Sequence, residues 1–339
     1  MKIAIDAMSG KNAPHCIIKA LVPFAISNQN ACFLLYGDEP KLNNIISEIV
    51  PQIGAGKHPS NIQIIHTEQI VEDSEKPAEA LRYKRKSSLS LAIKAVKTGG
   101  ADAVISAGNT GALMAISKVM LRTLKGIDRP AIGTIMPNLN GSSVMLDLGA
   151  NLYCTANNLF EFAVMGHVFA KIMLEKEQPS IGILNIGEEE EKGSQTIKQA
   201  TKLIKESILQ ENLHGYIEGD DIAKGLVDVV VTDGFSGNIA LKTAEGTARM
   251  FKDFIERALT SSLRAKLGGL LAKPALRALA RKLDPSRYNG AMLLGLNGIV
   301  IKSHGSADEV GFQTALEVTK KLTAKNINNL ITKELEITG

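Results

Sequence analysis

The chain has 339 residues, a formal net charge of +4, and 45% hydrophobic against 22% charged residues. That is the balance of a soluble globular protein with a large core in one or two domains, and any basic surface on it must be local. Tryptophan is absent and aromatics are only 4% of the chain, which argues against a nucleic-acid binder that works by base stacking. The three cysteines, Cys16, Cys32 and Cys154, are odd in number and widely spaced; they suggest buried thiols in a reducing cytosol rather than a disulfide framework or a zinc site. The N-terminal Met-Lys-Ile-Ala-Ile-Asp turns polar too soon for a signal peptide. No apolar run approaches the ~18 residues of a spanning helix.

Short apolar or β-branched runs alternate with longer helical patterns. Strands are predicted at Lys2–Ala7, Phe33–Gly37, Ile62–His66, Ala103–Ser106, Ala131–Met136, Ser143–Leu148, Ile181–Ile186, Gly215–Glu218 and Val227–Thr232, with a further apolar run at Ile299–Ile301. Helical periodicity falls near 14–27, 76–98, 110–124, 155–177, 192–211, 236–260 and 307–334. The alternation reads as α/β with a mainly parallel central sheet, a single domain over 1–339, and ligands at the carboxyl ends of the strands.

One stretch departs in composition. Between Arg257 and Leu283 there are seven basic residues (Arg257, Arg264, Lys266, Lys273, Arg277, Arg281 and Lys282) and no acidic one. Leu263, Leu267, Leu270 and Leu271 form one helical face, and Leu276, Leu279 and Leu283 another, with Gly268-Gly269 and Pro274 between them. The pattern predicts a protruding helical hairpin over about 245–290 with an apolar tip. Its role is either packing against a second copy, or docking on an anionic membrane or an acidic protein; one hairpin can do both.

Several glycine-rich polar turns follow predicted strands: Asp6–Pro14, Ser106–Gly111, Asp147–Asn151, Asn185–Gly193, Thr232–Asn238 and Lys302–Asp308. In Ser106-Ala-Gly-Asn-Thr-Gly111, strand, small-residue turn and helix start aim backbone N–H groups at one anion, and Ser106, Asn109 and Thr110 add polar side chains. Gly108 and Gly111 let a ligand approach the backbone. Each turn singly is an ordinary capped connection; if all strands run alike, the turns share one edge and line one cleft. Neither G-x-G-x-x-G nor G-x-x-x-x-G-K-[ST] occurs, and Gly234-Phe-Ser-Gly-Asn238 fails as a nucleophile elbow because position 238 is not glycine. No metal motif is present, and neither metal nor cofactor is expected. Lys192, after Glu188–Glu191, is either part of a solvated helix start or a cation for phosphate. Asn238 either caps a helix or donates to an oxyanion. His304 is either a structural hydrogen-bonding group or part of the site.

These turns, in this order, resemble the bacterial phosphate acyltransferase family (acyl-ACP:phosphate acyltransferase, PlsX). The likeness runs end to end. It is carried by Ser106–Met114, Arg129-Pro-Ala131, Leu146–Asn151, Val230–Asn238 and His304-Gly-Ser306, with Arg82-x-Lys84 and Ser87-Ser88 as a basic-serine segment. The resemblance implies an isocitrate/isopropylmalate dehydrogenase-like three-layer fold, and transfer of a fatty acyl group from acyl carrier protein (ACP) to inorganic phosphate. It also implies a cytoplasmic homodimer peripherally associated with membrane, whose acyl phosphate product passes to glycerol-3-phosphate acyltransferase. By the same resemblance Lys192 and Asn238 are catalytic. From the polar turns themselves, Ser106, Gly108, Asn109, Thr110, Gly111, Asp233, Ser236, Gly237 and His304 are expected to bind phosphate and the acyl thioester. In the first turn Ser9 and Lys11 stand where the family usually has glycine and aspartate. The chemistry needs no protein nucleophile: phosphate attacks, and the enzyme must hold it near the carbonyl and stabilise the oxyanion. The competing expectations are a short-chain phosphate acetyltransferase using CoA, a non-catalytic membrane or ACP scaffold and, at fold level, a dehydrogenase, which lacks a cofactor fingerprint.

Overall fold

A computed structural model describes residues 1–54, 58–282 and 284–338. The first half of the chain comprises β1 (Lys2–Asp6), α1 (His15–Ser27), β2 (Cys32–Gly37), α2 (Glu39–Gln52), β3 (Ile62–His66), α3 (Pro77–Tyr83), α4 (Ser88–Lys97), β4 (Ala103–Ser106), α5 (Thr110–Leu121), β5 (Ala131–Asn138) and β6 (Gly141–Leu146). There follow α6 (Ala156–Met173), β7 (Ile181–Leu184), α7 (Gln195–Lys205), β8 (Leu213–Ile217), α8 (Gly219–Lys224), β9 (Val229–Val231), α9 (Gly234–Thr260), α10 (Leu263–Lys282), β10 (Ala291–Leu294), β11 (Ile299–Lys302), α11 (Glu309–Ala324) and α12 (Ile327–Thr338).

All eleven strands form one sheet in the order β3-β2-β1-β4-β11-β10-β5-β6-β9-β7-β8. Seven of the ten pairings are parallel, so the mainly parallel sheet holds. The three antiparallel pairings, β11–β10, β10–β5 and β5–β6, stand together in the middle. They reverse direction three times, so β6, β9, β7 and β8 run opposite to β3, β2, β1, β4 and β11. The β5–β6 reversal is a tight hairpin at Leu139-Asn140, followed by Gly141 at φ +133°. Asn-Gly at that spot is a hairpin signal.

Side chains alternate strictly between two cores. In β1, Ile3 and Ile5 enter the core beneath α1, α2, α6, α11 and α12, while Ala4 enters the core beneath α4 and α5. In β4, Ala103 and Ile105 join the first and Val104 the second. This period of two, buried on both faces, is what a helix-covered parallel sheet requires and makes the architecture three-layered.

The predicted strands all form, two of them with the predicted ends and the rest with ends shifted by one or two residues. The sequence reading missed α2, α8 and β10, and two predicted helices are each two. The 76–98 segment breaks because Ser87 accepts from Ser90 N–H and starts α4 anew; the 307–334 segment breaks at Asn326, whose φ is +49°. The protruding hairpin is present but turns elsewhere: α9 and α10 meet at Ser261-Ser262, and Gly268, Gly269 and Pro274 lie inside α10. Gly269 faces Leu259 of α9, where a Cβ would make an ordinary van der Waals contact at 3.4 Å, so the glycine sits in the helix–helix contact and does not reverse the chain. The side chains of Arg281 and Lys282, and Leu283 altogether, lie outside the described residues. No helix among the described residues is long and apolar enough to cross a membrane.

Ile105 is fully buried in the first of these cores. Ile105→Ala is expected to cost about 2–5 kcal/mol in a denaturant melt, whereas exposed Arg277→Ala on α10 stays within about 0.5 kcal/mol of the parent.

Candidate active site

The reversal of strand direction divides the turns into two groups. The Asp6, Ser106 and Lys302 turns follow the neighbouring strands β1, β4 and β11. The Asp147, Thr232 and Asn185 turns follow the neighbouring strands β6, β9 and β7. The expectation that all of them share one edge is therefore corrected: no hydrogen bond among the described residues joins one group to the other.

In the first group a buried carboxylate organises the turn. Asp6, at 0% exposure, accepts Ser88 Oγ–H at 2.6 Å and Ser106 Oγ–H at 2.7 Å. Burial raises its pKa, and these hydroxyls pull against that. Ser106 Oγ in turn accepts Gly108 N–H at 3.0 Å, while Ser106 O accepts Ser303 N–H and so ties this turn to the Lys302 turn. Asn109 caps α5 by accepting Ala112 N–H, and its amide donates to Asp73 O and Glu75 O, both at 2.9 Å. Ser106, Gly108 and Asn109 thus spend their polar groups on building the turn. The backbone N–H groups of Thr110 and Gly111, at the start of α5, have no partner among the described residues. They are what the turn offers an anion. Ser9 packs over Gly108, where a Cβ would meet it at 2.6 Å; it is absent from the positive-φ residues, so the position tolerates a side chain. Lys11 is exposed and donates its backbone N–H to Gly305 O at 2.8 Å.

His304 Nδ1 accepts from Ser306 N–H and Oγ–H at 3.2 and 2.9 Å. The neutral ring therefore carries its proton on Nε2. Burial, reinforced by nearby Lys302, holds its pKa below the usual histidine value. Of the basic-serine segment, Lys84 pairs with Glu75 at 2.8 Å and donates to Ile70 O, so it too is a structural tie.

The second group is organised by Asp147. Its carboxylate, also 0% exposed, accepts the backbone N–H groups of Ile132, Gly149, Ala150 and Asn151 and the Asn151 amide, at 2.7–3.2 Å. Burial pushes its pKa up and these five donors oppose it. Asn151 O then accepts Gly234 N–H at 2.8 Å, which seats the start of α9. Asp233 caps α9 by accepting Ser236 N–H at 2.8 Å and Ser236 Oγ–H at 3.0 Å. Gly237 is buried with its Cα against Asp147 O, where a Cβ would come within 2.0 Å. Asp233, Ser236 and Gly237 therefore position the helix. Asn238 does not cap it: its side chain is exposed, makes no hydrogen bond among the described residues, and lies beside Gly149.

Lys192 sits on the neighbouring turn. Glu190 pairs with Lys205, and Lys198 donates to the backbone Glu191 O, so two lysines of α7 tie down the preceding acidic segment. The exposed Lys192 ammonium has no ion-pair partner among the described residues. Asn185 donates to Gly187 O and Lys192 O, closing the turn, and Gly193 at φ +87° leaves no room for a Cβ, which would fall 2.2 Å from Asn185 Oδ1. The structure thus brings Lys192 and Asn238 to the same sheet edge, on adjacent strands. Helix α9 connects this edge to the other group: Lys242, Glu245 and Arg249 contribute to the field at His304. Asn238 and Glu245 are separated by about 10 Å along the axis at 1.5 Å per residue.

Sequence reasoning missed the pairing of Asp6 with Ser88 across 82 residues, and the burial of Lys302. An acid or lysine at a strand end carries no local mark of its burial. No group of three or more His, Cys, Asp or Glu that could hold a metal is found among the described residues.

The description "Fatty acid synthesis protein" belongs to the family model that matches residues 1–330. The chain is 47% identical over 333 residues to a phosphate acyltransferase of Rhodospirillum rubrum, covering 98% of this chain and 94% of that one. Among solved structures it is similar to a phosphotransacetylase from Streptococcus pyogenes, with a TM-score of 0.62, 18% identity, and coverage of 96% and 94%. A 4-hydroxythreonine-4-phosphate dehydrogenase from Klebsiella pneumoniae shares the fold at a TM-score of 0.50 and 14% identity, with coverage of 95% and 97%. At these identities the structural likenesses speak to the fold, three-layered and dehydrogenase-like.

Burial, with Asp308 near Cys16 and Asp147 near Cys154, pushes both thiols up to about 11. That leaves on the order of 10²-fold less thiolate at neutral pH than an ordinary cysteine with pKa ≈ 8.5. Alkylation followed by peptide mass spectrometry is expected to be slow at both near pH 7 and to accelerate roughly tenfold per pH unit toward 11.

Proposed function

Since this chain belongs to the fatty acid synthesis protein family, and is an acyltransferase by its kinship to phosphate acyltransferases, we propose that it moves a fatty acyl group from ACP to inorganic phosphate. Acyl phosphate and free ACP are released, and the product supplies glycerol-3-phosphate acyltransferase at the start of phospholipid synthesis. The observation that carries the fatty, rather than acetyl, donor is the apolar rim around the two proposed catalytic residues. Leu152 and Tyr153 follow the Asp147 turn, Ile186 begins the Lys192 turn, and Phe235 and Ile239 flank Asn238; each is at least half exposed. Exposed apolar groups gathered at one edge are a surface for an apolar ligand.

In the reaction, a phosphate oxygen attacks the thioester carbonyl, and the carbonyl electrons move to oxygen. Collapse of that oxyanion breaks the C–S bond, and the thiolate takes the proton of hydrogen phosphate. Phosphate is held by the Thr110 and Gly111 N–H groups, with Thr110 Oγ available beside them; the surrounding Ser106, Gly108 and Asn109 keep those donors in place. Lys192 attracts and steadies the anionic nucleophile, and the Asn238 amide donates to the oxyanion. Asp233, Ser236 and Gly237 fix Asn238, and His304 borders the phosphate side with a neutral N–H. The reaction space lies between the two groups of turns, along α9 from Asn238 to Arg249.

The hairpin has a second task. Arg257, Arg264, Lys266, Lys273 and Arg277 are all exposed, beside exposed Leu263, Leu267, Leu270 and Leu271 near the tip. We assign the basic groups to acidic ACP and an anionic membrane surface, and the leucine tip to shallow, peripheral insertion. The exposed Met250, Phe251 and Phe254 on α9 suit packing against a second copy of the chain.

The decisive assay is phosphate-dependent release of ACP from palmitoyl-ACP. Lys192→Ala and Asn238→Ala are each expected to lower kcat by about 10²–10³-fold. Faster turnover of acetyl-CoA than of palmitoyl-ACP would favour the short-chain acetyltransferase; full cellular function of Lys192→Ala would favour a scaffold. A trapped acyl-enzyme on Ser236 or a cysteine would overturn the direct attack. For the hairpin, Arg264→Glu/Lys266→Glu/Lys273→Glu should lose binding to anionic vesicles and slow reaction with acyl-ACP. The slowing of the reaction should fade toward ~1 M salt, where the Debye length is about 3 Å. Retention of both properties at low salt removes the assignment.

A further inference from the structure

Lys302, the last residue of β11, is only 9% exposed. Its ammonium donates to Ala107 O at 3.3 Å and to Ser303 O, one carbonyl from each of the two turns that meet here. No carboxylate lies within ion-pairing distance of it among the described residues. Asp73 and, more weakly, Asp6 act on Lys302 through space without pairing with it, and Asp6 already accepts the hydroxyls of Ser88 and Ser106. An ammonium taken out of water and met only by neutral carbonyls is costly. Here it stands next to the turn that opens α5, whose Thr110 and Gly111 N–H groups are also unpaired and whose dipole is positive at that end. Two sources of positive potential therefore converge, and the third N–H of the ammonium has no assigned acceptor.

We propose that Lys302 is the buried cation of the phosphate site: it locks the Ser106 and Lys302 turns together through Ala107 O and Ser303 O, and supplies from beneath the charge that phosphate neutralises when it binds at Thr110 and Gly111. The inference rests on the assignment of phosphate to that turn. It makes Lys302 a positioning residue for the nucleophile, distinct from Lys192, which approaches from the exposed edge of the other group. The charged and titratable groups facing it are Asp6 from β1, Asp73 from the segment before α3, and His304 from its own turn.

Burial pulls the Lys302 pKa down to about 8, with Asp73 and Asp6 working in the opposite direction. The ammonium is charged below that pH and loses its proton as pH rises through it. Because kcat/KM reports the free enzyme, kcat/KM for phosphate should fall above pH ~8, where phosphate itself remains dianionic.

The test compares Lys302→Met, which keeps length without charge, with Thr110→Pro, which removes one free N–H at a helix position where proline is well accommodated. With palmitoyl-ACP saturating, Lys302→Met is expected to raise the phosphate KM roughly ten-fold or more, by the loss of a charged hydrogen-bonding group, and to abolish the alkaline fall. The KM for palmitoyl-ACP should stay within two-fold. A folded Lys302→Met protein whose phosphate KM rises less than five-fold overturns the proposal. If that variant does not fold, the parent decides: a fall in kcat/KM for phosphate above pH ~8 supports the proposal, and a flat profile to pH 9 overturns it. An unchanged phosphate KM in Thr110→Pro would instead remove phosphate from the turn, and the proposal with it. A raised KM in Thr110→Pro beside an unchanged one in Lys302→Met discards Lys302 alone.

Discussion

Three antiparallel pairings in the middle of the sheet set the geometry on which everything else depends. Where β10, β5 and β6 meet, the chain reverses direction at every step, so that the parallel strands on either side present their carboxyl ends oppositely. Turns that carry the polar residues are thereby sorted into one group around Asp6, Ser106 and Lys302, and another around Asp147, Lys192 and Asn238. A long helix then becomes necessary as a bridge. Helix α9 begins at the second group, passes within electrostatic reach of His304 in the first, and continues outward as one arm of the basic hairpin. Asn238, the groups facing His304 and the first arm of the basic hairpin are thus carried on a single helix.

Each group is built around one fully buried carboxylate at the end of a central strand. Asp6 works through two serine hydroxyls and Asp147 through five N–H donors. Burying such a group is unfavourable unless its lone pairs are met. The satisfaction of those lone pairs is what defines the turn: Ser106 is held so that it can accept Gly108 N–H, and Asn151 is held so that it can accept Gly234 N–H. Many residues that look like ligands in the sequence are consumed in this way. Ser106, Asn109, Asp233 and Ser236 hold the turns together, and the polar groups left without a partner among the described residues are the Thr110 and Gly111 N–H groups and the side chains of Lys192 and Asn238.

Much of the fold was legible because it follows from local pattern. The apolar runs of β1 and β4, the small-residue turn at 106–111 and the apolar periodicity of α5 and α6 are written in adjacent residues. The elements that escaped were short or ambiguously punctuated. Strand β10 is four residues whose pairing partners, β11 and β5, lie on opposite sides of it in sequence. The glycines at 268 and 269 look like a break yet lie inside α10.

The sequence by itself determined that polar, glycine-rich turns end the strands, and that Lys192 and Asn238 stand in two of them. It determined too that a basic, leucine-bearing segment follows, because each of these is a property of residues near one another in the chain. Only the tertiary structure decided which turns face each other and which charges are buried. Asp6 and Ser88 meet across 82 positions and Lys302 reaches Ala107 across 195, and strand direction inverts through hydrogen-bond ladders between distant segments. Burial and register are properties of the packed sheet as a whole, and no local stretch of the chain encodes them alone.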